Sequence, residues 1–170
     1  RRLALNISTR QLTRAGIATE LVAMAAGYAL DPSSIALEVT ETALIGQAPL
    51  TRRELARLRE AGFRLILDDF GLGTSSFNWL ADEPIDGLKI DRTLIAAIER
   101  DPRRRVLVAA IVGLARQLEL EVVAEGVETC GQRELLLELG CDLAQGFLFS
   151  QPKPMDQALS AHHQPHPPCC

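Results

Sequence analysis

The sequence of 170 residues lacks several features that would point to a membrane or nucleic-acid protein. The longest apolar run, residues 106–118, is too short to cross a membrane and is interrupted by Arg116 and Gln117. No N-terminal segment has the pattern of a signal peptide. The formal net charge of -4 leaves no domain-wide basic surface for duplex nucleic acid. We therefore expect this piece to contact neither a membrane nor a nucleic-acid polymer.

Cysteine is scarce, and its four positions form neither a CxxC motif nor a zinc-ligand spacing. A reducing, cytoplasmic setting fits such cysteines best, although a membrane anchor could lie on a part of the protein outside this chain. We expect residues 161–170, which are rich in histidine, proline and cysteine, to be a disordered tail. Residues 1–160 show no internal boundary, repeat or low-complexity block, so we expect one domain there.

Short apolar runs alternate with longer helical patterns along the chain. The runs typical of strands are residues 3–7, 35–39, 63–67, 87–90, 121–124 and 143–147. Helices are expected at about residues 9–28, 51–62, 76–80, 102–118 and 129–139. Six βα units in succession predict a parallel sheet with helical crossovers.

Capping patterns mark the starts of three of these helices. Thr51 with Glu54, and Thr129 with Gln132, have the spacing of a capping box. Asp101 precedes a proline, which is a good helix start. In the long helix that follows, we expect an apolar stripe formed by Val106, Leu107, Ala110, Ile111, Leu114 and Leu118.

Polar or charged residues stand at the end of every predicted strand, namely Asn6, Glu38, Asp68, Lys89, Glu125 and Gln145. In a doubly wound sheet, functional groups cluster at the switch point of a few strands. In a (β/α) barrel, the carboxyl ends of all strands converge on one site. The pattern therefore favours a TIM-like barrel. A complete barrel has eight strands, so we expect an incomplete one with about six of the eight βα units, the other two preceding Arg1.

Convergence of the strand ends would create a markedly acidic site, composed of Asn6, Glu38, Asp68, Asp69, Lys89, Asp91 and Glu125. A divalent cation would relieve the repulsion, and all-oxygen ligands favour Mg²⁺ or Mn²⁺ over zinc. The adjacent Asp68 and Asp69 could serve two ions, which is a usual arrangement for in-line attack at phosphorus. Acidic residues at strand ends are often only caps of the next helix, but the whole set together favours the metal site.

Six segments resemble, in order, the motifs of the EAL family of cyclic di-GMP phosphodiesterases. They read N-I-S-T-R-Q-L at 6–12, E-V-T-E at 38–41, L-D-D-F-G-L-G-T-S-S at 67–76, L-K-I-D at 88–91, V-A-E-G-V-E-T at 123–129 and Q-G-F-L-F-S-Q-P at 145–152. The resemblance runs from about residue 3 to residue 154. It implies that residues 1–160 form a modified TIM barrel that hydrolyses cyclic di-GMP to linear pGpG with two Mg²⁺ or Mn²⁺ ions.

The resemblance also implies a role for each matching residue. Asn6, Glu38 and Asp68 would hold one metal ion, and Asp68, Asp69 and Glu125 the second. Lys89 would lie beside the attacking water, and Asp91 would orient the site. The residues that would support the site or contact substrate are Glu41, Gly71, Gly73, Ser75, Glu128 and Gln145.

The family resemblance further implies partners for the chain. The loop after Asp69, which Glu41 would brace, would also contribute to a homodimer. Sensor, receiver or GGDEF domains commonly accompany such a domain in a parent protein.

Three departures from the family pattern affect the expected activity. In the loop after Asp69, Leu72 stands where the family usually has a small or hydroxylated residue, and Thr74 stands where it usually has tyrosine. Phe147 in place of another tyrosine is a mild change. The glutamate of the E-A-L motif is not among these residues, so we expect little turnover from residues 1–170 alone. Two alternatives stay open: a degenerate module that binds cyclic di-GMP or a protein without hydrolysis, and a truncated product.

Overall fold

The strands of the computed structural model form one parallel sheet in which neighbours in sequence are neighbours in space. The structure describes residues 2–44, 49–71, 80, 84–141, 143–154 and 156–157. The strands are β1 (Leu3–Asn6), β2 (Ile35–Thr40), β3 (Arg64–Phe70), β4 (Gly87–Ile90), β5 (Glu121–Ala124) and β6 (Leu143–Ala144). The helices are α1 (Thr9–Leu12), α2 (Ile17–Gly27), α3 (Glu41–Leu44), α4 (Pro49–Glu60), α5 (Arg92–Ala96), α6 (Pro102–Gln117) and α7 (Cys130–Glu138).

This strand order distinguishes a barrel from a doubly wound sheet. Because parallel crossovers are right-handed, an order that never reverses places every helix on the same face, and the sheet curls around its other face. A contact inside the curl confirms this. Arg2, at the start of β1, lies 2.7 Å from Glu121 of β5, which is also paired with Arg64 of β3. In a flat sheet β1 and β5 would be about 19 Å apart. The predicted incomplete TIM-like architecture is confirmed as a curled half-barrel.

The two faces of the sheet differ because side chains alternate along each strand. In β2 the side chains of Ile35, Leu37 and Val39 are buried in the core that the helices cover. The intervening residue Glu38 faces the concave side with Asn6, its partner in β1. The core therefore lies outside the curl, between sheet and helices, and the concave side is left for polar groups.

The helix predicted over residues 9–28 is wrong, because the structure has two helices there. Gly16 has a φ of 88°, which is left-handed, and it directly precedes α2. Since a right-handed helix cannot continue through such a residue, α1 and α2 are separate, and glycine adopts this backbone at little steric cost.

The capping box predicted for Thr51 and Glu54 is also wrong. Helix α4 begins two residues earlier, at Pro49, and Thr51 is a buried residue within it. Proline suits a first helical position because its missing N–H would have no partner there. The other two caps are confirmed: Asp101 accepts a hydrogen bond from the Arg103 N–H, and the side chain of Thr129 accepts one from the N–H three residues later.

The stripe predicted for α6 is partly wrong. Val106, Leu107 and Ala110 are exposed, whereas Ile111 is buried and Leu114 and Leu118 pack against the core. The buried residues of α6 are Val108, Ile111, Val112 and Ala115. Apolar residues occur around most of this helix, so periodicity could not select the face that meets the sheet.

Several boundaries also differ from the sequence prediction. Strand β3 continues through Asp68 and Asp69 to Phe70, and β6 has only two residues. The short helices α3 and α5 were not predicted. Residues 76–79 of the predicted helix 76–80 and the predicted tail 161–170 lie outside the described residues. No helix in the described part of the chain is both long and apolar enough to cross a membrane.

Glu54 has a structural role that explains its burial. It is only 1% exposed, and its Oε2 atom accepts a hydrogen bond of 3.0 Å from the Ala18 N–H, in the first turn of α2. Gly16 offers α2 no side-chain cap, so Glu54 supplies that cap from α4. The Ala18 N–H lowers the pKa of Glu54 despite its burial, and Arg57, 3.1 Å from Oε1, lowers it further.

The Glu54→Gln variant should reduce the free energy of unfolding at pH 7 by about 1–2 kcal/mol, because a neutral amide caps the helix less well than a carboxylate. The folded pKa lies below the ordinary value of 4.5, so the ionised group stabilises the fold above pH 4.5. That contribution is lost as the pH falls through the folded pKa. Urea unfolding at several pH values measures it.

The control for Glu54→Gln is Glu60→Gln, which removes an exposed carboxylate from the same helix. The free energy of unfolding of this control should equal that of the wild type at every pH. A difference between Glu54→Gln and wild type that is the same at pH 7 and well below pH 4 would contradict the proposed charged cap.

Candidate metal centre

The carboxyl ends of β2 to β5 converge around the ammonium group of Lys89. The Nζ atom lies 3.0 Å from an oxygen of Glu38, 3.2 Å from one of Asp68 and 2.5 Å from one of Glu125. Lys89 is on β4, between the strands that carry these acids, and is only 5% exposed. The structure thus brings together the strand ends that the sequence predicted to meet.

An irregularity in β3 directs Asp68 and Asp69 towards the same place. Consecutive side chains of a regular strand point to opposite faces. Here the pairing of β3 with β4 shifts between Leu67 and Phe70, and Asp69 has a φ of 57°. Such a bulge redirects side chains. As a result, oxygen atoms of Asp68, Asp69 and Glu125 lie within 4.8 Å of one another.

The position of Glu125 is fixed by its neighbours on both sides. Its N–H donates to the carbonyl of Ile90 at 3.0 Å, which continues the β4–β5 pairing. The side-chain amide of Gln145, beyond the end of β6, donates to Glu125 Oε1 at 2.5 Å. The next residue, Gly146, packs so closely on Val127 that a Cβ atom would lie 2.2 Å from the Val127 carbonyl oxygen. Only glycine permits this approach of β6 to the loop after β5.

Burial and the neighbouring charges both shift the pKa values of the groups in this site. Burial by itself would lower the pKa of Lys89, but hydrogen bonds to Glu125 and Glu38 and the charge of Asp68 outweigh it and raise the pKa above its usual range. Burial raises the pKa of Glu125, although Lys89 offsets part of the increase. Partial desolvation and the charges of Asp68 and Asp91 raise the pKa of Asp69. Four carboxylates thus surround one lysine, and the pKa values of two of them, Glu125 and Asp69, are raised.

The donor set fits a hard divalent cation. The three oxygens of Asp68, Asp69 and Glu125 lie close enough to share one ion, and Glu38 adds a fourth carboxylate across Lys89. Carboxylate oxygens without histidine or cysteine favour magnesium, manganese or calcium. Asn6 lies on the same concave face as its strand partner Glu38. The expected division of these residues between two ions stays a prediction.

Asp91 and Glu41 lie beside this centre and make contacts of their own. Asp91 caps α5, accepting from the Thr93 N–H at 2.7 Å, so it has the capping role that acidic residues at strand ends often have. Glu41 is buried at the start of α3, and burial raises its pKa while a hydrogen bond from the Gly71 backbone lowers it. Glu41 thus reaches the first residue of the loop it was predicted to brace. Gly73 and Ser75 lie outside the described residues.

Sequence reasoning missed a cavity of about 430 Å³ that adjoins Glu125. Its walls include Arg92, Glu128, Gln145 and Phe147. Glu128 and Gln145 were predicted to contact substrate or support the site, whereas Arg92 and Phe147 were given no role. The sequence signal for Arg92 was its position directly after the motif at 88–91, and that for Phe147 was its place within the motif at 145–152.

Comparison with known proteins identifies similar domains. The family model described as EAL domain matches residues 1–152. The cyclic di-GMP phosphodiesterase RocR of Pseudomonas aeruginosa is 40% identical over 157 residues, which are 92% of this chain and 40% of RocR. The bifunctional diguanylate cyclase/cyclic di-GMP phosphodiesterase MucR of the same organism is 40% identical over 94% of this chain and 23% of MucR. The chain therefore spans less than half the length of these curated relatives.

Solved structures with the same architecture contain bound ligands. The MucR phosphodiesterase in complex with cyclic di-GMP superposes with a TM-score of 0.86 at 39% identity, covering 92% of this chain and 64% of that one. BlrP1 of Klebsiella pneumoniae, in complex with manganese and cyclic di-GMP, superposes with a TM-score of 0.84 at 36% identity. That match covers 89% of this chain and 39% of BlrP1.

In metal-free protein, the Lys89→Met variant should lower the free energy of unfolding by about 2–4 kcal/mol, because three carboxylates lose their shared positive partner. Added Mn²⁺ should raise the melting temperature of this variant more than that of the wild type, since the ion then replaces the missing charge. Thermal unfolding with EDTA and with Mn²⁺ measures both effects.

Lys153→Met is the matched control for Lys89→Met, since Lys153 is exposed and forms no described ion pair. It should melt like the wild type with EDTA and with Mn²⁺. If the two variants melt at the same temperature in EDTA, Lys89 does not hold the carboxylates together.

Proposed function

The chain belongs to the EAL domain family, and we propose that it carries out the metal-dependent hydrolysis of cyclic di-GMP to linear pGpG. The observation that supports this most strongly is the convergence of Glu38, Asp68, Asp69 and Glu125 around Lys89. A set of oxygen ligands with one adjacent cation suits chemistry at a phosphodiester, whose oxygens need positive groups on several sides.

The residues proposed to hold metal lie at neighbouring strand ends on the concave side of the sheet. Asp68, Asp69 and Glu125 would bind one Mg²⁺ or Mn²⁺ ion, and Asn6 and Glu38 would join Asp68 at a second. Bound divalent ions make a water molecule more acidic and offset negative charge on the phosphoryl oxygens. The bulge in β3 supports the proposal that Asp68 binds both ions, because it brings the side chains of two successive acids to one point.

The other residues of the site position these groups. Lys89 stays protonated at neutral pH, so its ammonium can donate a hydrogen bond to the attacking water or to a phosphoryl oxygen. Gln145 holds Glu125 Oε1 in place by its amide N–H. Asp91 caps the start of α5, the helix that directly follows the strand of Lys89.

The assembly and setting proposed for the chain follow from the family pattern. We propose a homodimer through the loop after Asp69, a cytoplasmic location, and a parent protein in which sensor, receiver or GGDEF domains accompany these residues. The contact of Glu41 with Gly71 supports the part of this proposal in which Glu41 braces the loop.

The function is tested by incubating the purified chain with cyclic di-GMP and Mn²⁺, and following pGpG by chromatography. Because little turnover is expected from residues 1–170 alone, binding of cyclic di-GMP is measured in parallel by calorimetry with Ca²⁺. Asp68→Asn should abolish the remaining turnover and weaken metal-dependent binding, since Asp68 would serve both ions.

The matched control for Asp68→Asn is Glu138→Gln, which removes an exposed acid from the end of α7 that is remote from the site. It should behave like the wild type. Measurable turnover that is equal in Asp68→Asn and wild type, or equal metal-dependent binding of cyclic di-GMP, would refute the metal assignment. Metal-dependent binding with no pGpG at all would instead identify a binding module.

A further inference from the structure

Three charged side chains lie together inside the curl, at the amino end of the half-barrel. Arg2 directly precedes β1, Arg64 begins β3 and Glu121 begins β5. The Arg2 Nη1 atom lies 2.9 Å and 2.7 Å from the two carboxylate oxygens of Glu121, and Arg64 Nη1 lies 3.2 Å from one of them. We call these three residues the ionic layer. Because the three strands are not neighbours in the sheet, the ionic layer connects them across its concave side.

Small residues on the intervening strands leave room for these contacts. Ala36 of β2 is in register with Arg64, and Gly87 of β4 is in register with Glu121. A Cβ atom at Gly87 would lie 2.7 Å from the carbonyl oxygen of Glu121 and 3.0 Å from its Cβ, so a larger residue would push Glu121 aside. In a complete (β/α) barrel, each layer of inner side chains likewise comes from alternate strands. The ionic layer therefore resembles a barrel layer in which charged groups replace apolar ones.

Glu121 is the shared partner within the ionic layer. Burial alone would raise the pKa of this carboxyl, but the hydrogen bonds and charges of Arg2 and Arg64 lower it below the ordinary value of 4.5. Glu121 is therefore ionised at neutral pH, and its negative charge offsets the repulsion between the two arginines. The Arg2 contact that joins β1 to β5 thus depends on this one carboxylate.

Each member of the ionic layer stands four residues before a proposed metal ligand. These ligands are Asn6 on β1, Asp68 on β3 and Glu125, which directly follows β5. Residues four apart on a strand lie on the same face and are separated by about 13 Å. The ionic layer and the metal centre therefore occupy opposite ends of the same three strands, on the same side of the sheet.

The distance of Asn6 from the other ligands depends on how strongly the sheet curls. Pairing fixes neighbouring strands at about 4.8 Å, but the angle between them varies from about 10° to 35°. In the part of the chain that the structure describes, β1 pairs with β2 alone, and its four residues are exposed. The Asn6 side chain forms no hydrogen bond with any described residue. The contact of Arg2 with Glu121 therefore constrains β1, and Asn6 with it, relative to β3 and β5.

We propose that the ionic layer consists of positioning residues, which set the curvature of the half-barrel and thereby hold Asn6 close enough to Asp68 for both to bind one metal ion. The inference rests on the proposed function, which assigns that ion to Asn6, Glu38 and Asp68. The other ion, at Asp68, Asp69 and Glu125, needs no residue of β1, and Lys89 already joins β3 to β5 at that end. Loss of the ionic layer should therefore affect the two ions unequally.

The test measures the number and the affinities of Mn²⁺ ions bound per chain, by calorimetry and by the EPR signal of free Mn²⁺. The wild type should bind two ions, and Asn6→Ala should weaken one of them. Arg2→Glu should weaken the same ion about tenfold and leave the other within twofold, because attraction to Glu121 becomes repulsion. Arg2→Lys keeps the positive charge and should behave like the wild type. In a chain that already carries Asn6→Ala, Arg2→Glu should have no further effect, since Arg2 acts through Asn6.

Arg53→Glu is the matched control for Arg2→Glu, since it reverses an exposed charge on α4. It should leave the affinities of both ions unchanged. Glu121→Gln is a second, milder variant, which removes the shared partner of the two arginines without adding a charge. It should weaken the same ion as Arg2→Glu and Asn6→Ala.

Three results would overturn the inference while the proposed function stands. Arg2→Glu and Glu121→Gln both bind Mn²⁺ like the wild type, or Arg2→Glu weakens the two ions equally, or it weakens binding further in the chain with Asn6→Ala. In the last two cases the ionic layer only stabilises the fold. If the wild type binds fewer than two ions, or if Asn6→Ala weakens neither, the two-ion assignment of the proposed function fails together with the inference.

Discussion

The charge balance around Lys89 is the interaction on which the candidate site depends. Three strand ends place carboxylates on the same concave face, and their repulsion would push those ends apart if nothing positive lay between them. Lys89 contacts Glu38, Asp68 and Glu125 at once, and these contacts keep it protonated in spite of its burial. One ammonium stands against four carboxylates, and such an excess of carboxylate oxygens suits a divalent cation.

Small backbone irregularities fix the positions of these charged side chains. The left-handed conformation of Asp69 and the shifted pairing of β3 bring two neighbouring acids to one point, which a regular strand cannot do. The close approach of Gly146 to Val127 lets Gln145 reach Glu125. The same approach also places Phe147 at the wall of the cavity that adjoins Glu125.

Stability and function are separated in this fold. The outer side of the sheet is apolar and closely covered by helices, and the polar cap that Glu54 provides joins two of those helices. The inner side contains ion pairs at one end, around Glu121, and the acidic centre at the other. The acids lie at strand ends and therefore outside the apolar core. The core holds the strands, and with them the acids, in place, although the acids add nothing to its packing.

The sequence by itself determined the six strands, their parallel order, and the identity of the acids, because strand periodicity and strand-end residues are local patterns. It also predicted the caps at Asp101 and Thr129, which depend on neighbouring residues only. The tertiary structure decided what local pattern leaves open: the break at Gly16, the start of α4 before Thr51 and the buried face of α6. It alone joined Arg92, Glu128 and Phe147 into one pocket, since their proximity arises from loop packing between separate βα units.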